Sequence, residues 1–380
     1  MNWTEVIFDP LDTLTASDPR TMDLGGSAHL GALAPSAFAG LLRHRILEAA
    51  GLRFPPTEEE IDTNIPTALQ IAAPLLRSKD GVTLVPLPRS VLRAPDAHAT
   101  ESYLNPLGSR VLADKQMENL HLLTGEREHE PDPRWTTLAG VCHLLGRSAA
   151  GLGDTWIEAM LHRADHVDLF DRIRVVERHW GHERAATGVP APQTLWSRPV
   201  ERYYAEVHNG KFRTGGYAAL LRGAALSDSF VGRLGGDGHL VRVSCAPLGS
   251  EYAPVWRLRK LVEDSLEALR GLLLYLTTPA LYDGWRPPAF AGLRLVAAAV
   301  GRPLSLGGWD LAKKRPKDMT RAVPAGSTYF FAVEQLDAAR EFVTRFHWND
   351  PLSRPGTGRE GLGLSLCGVW DARTVEHGGS

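Results

Sequence analysis

Cysteine is scarce in this chain. The 380 residues hold three, Cys142, Cys245 and Cys367, far apart and never as CxxC. That pattern builds neither a zinc ribbon nor a disulfide framework, and a reducing, cytoplasmic setting is the expectation. Long apolar runs are also missing: LLLYL at Leu272–Leu276 is far too short to span a bilayer, so no membrane partner is expected. The opening MNWTEVIFDP lacks a basic region and an apolar core, so no signal peptide is expected. Neither sign of charge dominates, with Lys+Arg 42 against Asp+Glu 44 and a net charge of −2. This excludes coating of nucleic acid by bulk charge but allows a local basic groove. No Walker loop occurs. The glycines of GLGLSLCG (Gly361–Gly368) precede a strand rather than follow one, which excludes a dinucleotide fingerprint.

What the chain does have is 43% hydrophobic residues, 37 glycines and 26 prolines, a globular composition with many turns. Trp3–Phe8 reads as a strand stopped by Asp9-Pro10. Ser36 can cap a helix with the stripe Phe38, Leu41, Leu42, Ile46 and Ala49, ended by Gly51. Pro55, Pro56 and the following glutamates read as a solvated loop. Ile71–Leu76 and Val82–Leu87 are strand candidates, although Pro74 and Pro86 fit only edges or bulges. Trp135–Leu145 and Asp154–Phe170 read as helices, Glu177–Gly216 as an irregular or hairpin insertion, and Tyr217–Leu221 as a strand.

The second half opens near the glycine cluster Gly232–Gly238. The strand His239–Ser244 follows, then a helix Val255–Arg270 with the stripe Leu258, Leu261, Val262, Leu266 and Leu269. Strands follow at Leu272–Leu276, Leu293–Val300 and Ser327–Val333, then a helix carrying Leu336, Ala339, Val343 and Phe346, and a final strand after the glycine loop. The expected fold class is α+β, with each half a ferredoxin-like (RRM-like) βαββαβ plan with long insertions. The boundaries are 1–225, holding an insertion at about 177–216, and 226–380, holding the glycine-rich loop. In that loop Gly361 and Gly363 permit positive φ, and successive amides there can form a concave anion site; a plain hairpin turn is the alternative.

An ordered set of segments carries a resemblance: DPLDTL (Asp9–Leu14), PSAFAGLLRHRIL (Pro35–Leu47), VGRLGGDGHL (Val231–Leu240), YLTTPALYDGWRPP (Tyr275–Pro288), GGWD (Gly307–Asp310), AKKRPK (Ala312–Lys317), AVPAGSTYFF (Ala322–Phe331) and GLGLSLCG. In this order they resemble the third subunit of Cmr complexes, RAMP-superfamily proteins of type III-B CRISPR effectors. Two positions depart from that family's pattern: Ser17 stands where a basic residue usually precedes the aspartate (Asp18), and Leu362 replaces an aromatic between the first two loop glycines. The resemblance implies two fused ferredoxin-like domains and a non-catalytic role. Such a subunit holds the 5′ handle of the CRISPR RNA and caps the foot of the complex. Its implied partners are the large polymerase-like subunit, the RAMP backbone subunits and target RNA near the handle. No cofactor is implied.

Candidate RNA contacts are the basic run Lys313, Lys314, Arg315 and Lys317, then Arg43 and His44 off the apolar stripe, Arg233, the loop glycines Gly361 and Gly363, and Trp196 and Arg198 in the insertion. Cations pair with phosphates and aromatics stack on bases; solvated loops and buried aromatics are the plainer alternatives. The insertion also holds Trp180, Arg202, Tyr203 and Tyr204. The second functional reading is a metal-independent CRISPR RNA-processing endoribonuclease, with His29 or His44 as general acid or base. A metal site from His162, Asp165, His166, His179 and His182 lacks a recognisable order of ligands. Asp9, Asp12 and Asp18 are read as turn and capping residues. A stand-alone metabolic enzyme finds no motif.

Overall fold

The first strand, β1 (Thr4–Pro10), turns Val6, Phe8 and Pro10 to one buried face. A computed structural model describes residues 3–15, 33–93, 102–103, 105–110, 121–124, 130–131, 135–152, 166–167, 174–181, 196–203, 205–208, 211–226, 229–235, 238–310, 312–355 and 357–373. Helix α1 (Pro35–Ala49) starts on Pro35, whose missing amide is one the first turn leaves unpaired anyway. Ser36 is not the cap: Ala34 holds that position and offers no side-chain bond. Gly51, just past the end, has φ +79°. The glutamates read as a loop form helix α2 (Glu58–Asn64) instead. Thr57 accepts from the Glu60 amide while Glu60 accepts from the Thr57 amide, a capping box that starts the helix without an apolar stripe.

Strand β2 (Gln70–Arg77) accommodates Pro74 by a bulge. Ala218 pairs with Leu75 and Leu220 with Ala72, leaving Ala73 and Pro74 opposite one residue. The proline thus lies where no ladder amide is needed. After β3 (Thr83–Pro86) comes β4 (Trp135–Thr137), which takes the head of a segment read as all helix. Thr137 then caps α3 (Leu138–Gly146) through the Gly140 amide. The expected helix over Asp154–Phe170 lies outside the described residues except at β5 (His166–Val167), which pairs with β4. The insertion contains two antiparallel ribbons, Arg174–Gly181 with Trp196–Tyr203 and Ala205–His208 with Lys211–Thr214.

Strands β6 (Gly216–Arg222), β7 (Ser229–Arg233) and β8 (Leu240–Pro247) complete an eight-stranded sheet of order β5-β4-β3-β2-β6-β1-β8-β7. β7 and β8 lie beyond the boundary drawn at 226 and join this sheet. β8 pairs with β1 along its length, Asp9 opposite Arg242 and Ile7 opposite Ser244, so the break between sheets follows Pro247. Helix α4 (Ala253–Leu269) then buries its whole predicted stripe. Strands β9 (Gly271–Leu276), β10 (Leu293–Ala299) and β11 (Thr328–Val333), helix α5 (Leu336–Phe346) and strand β12 (Ser365–Val369) follow. They make a four-stranded sheet of order β10-β11-β9-β12. Every pairing within both sheets is antiparallel. The βαββαβ plan fails in one place in each half. Residues 277–292 between β9 and β10 form no helix, and β7 rather than a helix leads from β6 to β8. Helix α4, placed before β9, packs with α5 and β12 instead.

Two cores result. Phe38 of α1 packs edge-on against Phe8 and Tyr217, with ring centroids 5.1 and 5.0 Å apart, on one face of the large sheet. On the other face Trp3, Leu75, Ala218 and Leu220 join α3, α4 and the second sheet in a continuous apolar cluster. Central strand β9 contributes four fully buried leucines, each stabilising by about 1.5–3 kcal/mol. Gly368 permits close packing here: a Cβ would lie 2.6 Å from the Leu145 carbonyl of α3.

Candidate nucleic-acid interface

The glycine loop does not face open surface. Gly361 and Gly363 are both buried, with φ of +90° and +85°. The Gly363 amide donates to the Pro279 carbonyl at 2.8 Å, and its own carbonyl accepts from Leu352 at 2.8 Å. A Cβ at Gly363 would lie 2.8 Å from the Leu352 backbone. At Gly361 a Cβ would lie 3.2 Å from Pro35 and 3.3 Å from Ala73. The expected anion cradle is therefore corrected: these glycines let the loop seat on α1 and on the bulge of β2. Leu362 fills a small apolar cluster with Leu281 and Ala322, a packing variation.

That seating lays the turn Thr357–Glu360 beside α1 and a basic hairpin. The run 313–317 falls on a short ribbon in which Trp309 pairs with Pro316 and Asp310 with Arg315. The Asp310 carboxylate accepts the Lys313 amide at 3.0 Å and closes the turn. This bond, more than burial opposes it, holds Asp310 below the usual carboxylate range. Lys314 sits at the tip with φ 51°. The hairpin is tied to its surroundings at both ends. Lys313 reaches Glu58 of α2 at 2.8 Å, and Lys317 reaches Glu360 at 3.4 Å. Arg43 of α1 is partly buried, which pushes its pKa down. Glu360 and Asp310 counter that shift and Arg359 adds to it. So Arg43, Asp310, Lys317, Arg359 and Glu360 share one neighbourhood.

Within it, Lys314 and Arg315 are exposed and make no ion pair among the described residues. Trp309 stands beside them, 57% exposed, and Met319 is 55% exposed. An exposed indole next to unpaired cations is the pairing that single-stranded nucleic acid uses, base on ring and phosphate on cation. Trp309 went unrecognised in the sequence because the GGWD segment reads as a turn; its exposure follows from ribbon pairing that periodicity does not reveal.

The other candidates scatter. His44 points out from α1 and stacks on Phe54, with ring centroids 3.7 Å apart. Arg233 is exposed on β7, whose Gly232 lies against Leu41 of α1. Trp196 and Arg198 pair with Gly181 and His179 in the insertion ribbon; their side chains lie outside the described ones. On the same ribbon Trp180 is 64% exposed, whereas Arg202 forks onto Glu177 at 2.6 and 3.1 Å. Tyr203 is buried with its hydroxyl on Glu201; Tyr204 lies outside the described residues. Mutual bonds between Leu14 and Glu201 fasten the ribbon to the segment that follows β1.

His29, Ser17 and Asp18 lie outside the described residues, as do His162, Asp165 and His182. Among the described residues no three His, Cys, Asp or Glu side chains converge as a metal set. Asp12 accepts the Thr13 amide at 2.7 Å, a turn role. His239, at the end of the glycine cluster, has Thr15 Oγ1 at 3.0 Å and Asp12 Oδ2 at 3.8 Å. No helix of the described residues is long and apolar enough to cross a membrane.

No curated protein matches this chain. Residues 208–370 match the model of the family described as CRISPR-associated protein (Cas_Cmr3). The matched span holds β8, α4, the whole second sheet, the basic hairpin and the seated glycine loop, and over that span the chain is similar to the CRISPR-associated Cmr3 family, the family of a type III-B Cmr subunit.

Proposed function

We propose that this chain is a non-catalytic RNA-binding subunit of a type III-B effector. In this reading it holds the 5′ handle of the CRISPR RNA at the foot of the complex, beside the large polymerase-like subunit and the RAMP backbone subunits, and near the target RNA. The observation that carries the reading is the exposed Trp309 beside unpaired Lys314 and Arg315, on a hairpin fixed to α1 and to the 357–360 turn. Both sheets also keep a ferredoxin-like strand order, β8-β1-β6-β2 and β12-β9-β11-β10, each with the first strand of its plan beside the last. We read them as two ferredoxin-like units that have exchanged helices for ribbons and loops; such sheets are a common RNA-binding scaffold. A cytoplasmic location accords with this role.

The nuclease reading now rests on His239, which has a hydroxyl and a carboxylate within reach. Thr15 is buried, however, and the imidazole largely so, which suits a loop clasp better than a base open to RNA. The test is a titration of the purified chain with labelled repeat RNA, analysed both for binding and for cleavage. Handle-dependent binding without cleavage is expected, and it should weaken about tenfold or more in Lys314→Glu/Arg315→Glu. Site-specific cutting that disappears in His239→Ala would replace this reading with the nuclease.

A further inference from the structure

Away from the basic hairpin, a cleft of about 430 Å³ opens where the two sheets meet. Its walls include Trp3, Arg222, Trp256, Arg259, Trp348 and Asn349, none of them part of the site described above. The volume lies in the range of roughly 300–1,000 Å³ usual for small-molecule sites. Three indoles and two guanidiniums around one opening are far from an average surface.

The inner wall is fixed. The Arg222 guanidinium lies 4.5 Å from the Trp3 ring centroid, and its nitrogens donate to Gln70, Asn349 and Asp350. The Trp3 indole donates to the Trp348 carbonyl at 2.9 Å. This network fastens the seam and explains Trp3 and Arg222. It does not explain the remaining features. Trp256 lies on the first turns of α4 and is 45% exposed at the cleft, where a charged residue would serve a solvated helix better. Trp348 holds a left-handed backbone, φ 52°, which a non-glycine residue keeps only when its surroundings force it. Its indole N–H is buried and finds no acceptor among the described residues. Arg259 bonds Glu263 on its own helix and Thr344 on α5, and still lines the opening.

We propose that this cleft binds a nucleobase carrying a phosphate, supplied by a free mononucleotide or by one nucleotide of an RNA strand. Trp256 offers a ring face for stacking and Arg259 offers the charge for the phosphate; Asn349, whose amide is held by Arg222 and by the Thr344 carbonyl, belongs to the wall. Arg222, its donors engaged, serves as wall rather than ligand.

The experiment follows intrinsic tryptophan fluorescence of the full chain titrated with AMP, UMP, adenosine, ribose 5-phosphate and a short adenosine oligoribonucleotide. Saturable quenching by AMP is expected, with adenosine weaker and ribose 5-phosphate silent. Trp256→Ala should weaken AMP about tenfold, the loss of one base–aromatic stack, and Trp256→Phe should restore most of it. Arg259→Gln should weaken AMP while leaving adenosine unchanged. Quenching by the oligoribonucleotide alone, lost in Trp256→Ala and kept in Lys314→Glu/Arg315→Glu, identifies the strand as the source. Melting curves on each variant show that it is folded. Absence of saturable quenching by any ligand, or quenching unchanged in Trp256→Ala, overturns the proposal.

Discussion

The Ala73 amide, freed from its ladder by the bulge at Pro74, donates to the Gly361 carbonyl at 3.1 Å. One proline in the first sheet thereby creates the donor that receives the glycine loop of the second. The loop must approach backbone to backbone, and Gly361 leaves only 3.3 Å between a would-be Cβ and Ala73. Gly363 then turns the chain back along Leu352 with φ +85°. Gly363→Val is expected to destabilise by about 3 kcal/mol or more, from backbone strain plus the clash with Leu352. RNA affinity of the folded fraction should equal that of the parent. A melting curve and a handle-RNA titration on one preparation check this; normal melting with lost RNA binding would return the loop to the RNA site.

The second half was the more legible in sequence because its elements are local and regular. The α4 stripe from Leu258 to Leu269 repeats at helical spacing and is wholly buried. The first half was less legible because its elements depend on distant partners. Nothing near Gly232 announces that β8 will pair with β1, more than 200 residues upstream, and carry β7 on its outer edge. Thr57 and Glu60 did carry a local signal, the capping box, but Pro55 and Pro56 just before them masked it. In the candidate site the basic run was plain as composition. That Lys313 and Lys317 are committed to Glu58 and Glu360, leaving Lys314 and Arg315, depends on α2 and the 357–360 turn arriving beside it.

Glu5, on β1, sits under the second half, with Tyr252 donating to its carboxylate at 2.8 Å and Thr83 at 3.3 Å. Burial outweighs these bonds and raises its pKa. A carboxyl raised in the folded state favours folding at low pH and costs stability as pH climbs through the raised value. Glu5→Gln should therefore raise Tm at pH 7 by roughly 2 °C and lose that advantage near pH 4. Tyr252→Phe should lower stability at pH 7 by about 1–2 kcal/mol, since it strips a donor from a buried acceptor. Thermal melts at both pH values test the pair.

His347 is enclosed between α4 and β12. The Cys367 amide donates to its Nδ1 at 3.1 Å, so Nε2 carries the proton and donates to the Val255 carbonyl at 2.8 Å. Desolvation lowers its pKa to about 4. An imidazole held neutral takes up a proton more readily when unfolded. Stability is thus unaffected above about pH 6.5 and is lost as pH falls from there toward 4, by on the order of 3 kcal/mol. His347→Gln should start less stable at pH 7.5, yet lose less on acidification. Parallel slopes of Tm against pH in parent and variant would remove His347 as the source.

The basic hairpin separates charge from stacking. Lys314 and Arg315 have no acidic partner among the described residues, so each can release counterions from a phosphate. Replacing both by Glu should reduce the slope of log K against log salt by about 1.4, two contacts on a single strand at about 0.7 each. Replacing Lys313 and Lys317 instead also frees Glu58 and Glu360, and should cost less affinity per charge changed while lowering the melting temperature. Trp309 should behave differently from all four. Its indole is 57% exposed and carries no charge, so Trp309→Ala should weaken handle RNA by about tenfold, with an unchanged salt slope and an unchanged melting curve. Trp309→Phe should recover most of the loss, because a phenyl ring still stacks. Filter-binding titrations at several salt concentrations give slope and affinity together. A Trp309→Ala slope that falls with its affinity would mean that the ring merely supports the hairpin, and that the cations alone hold the RNA.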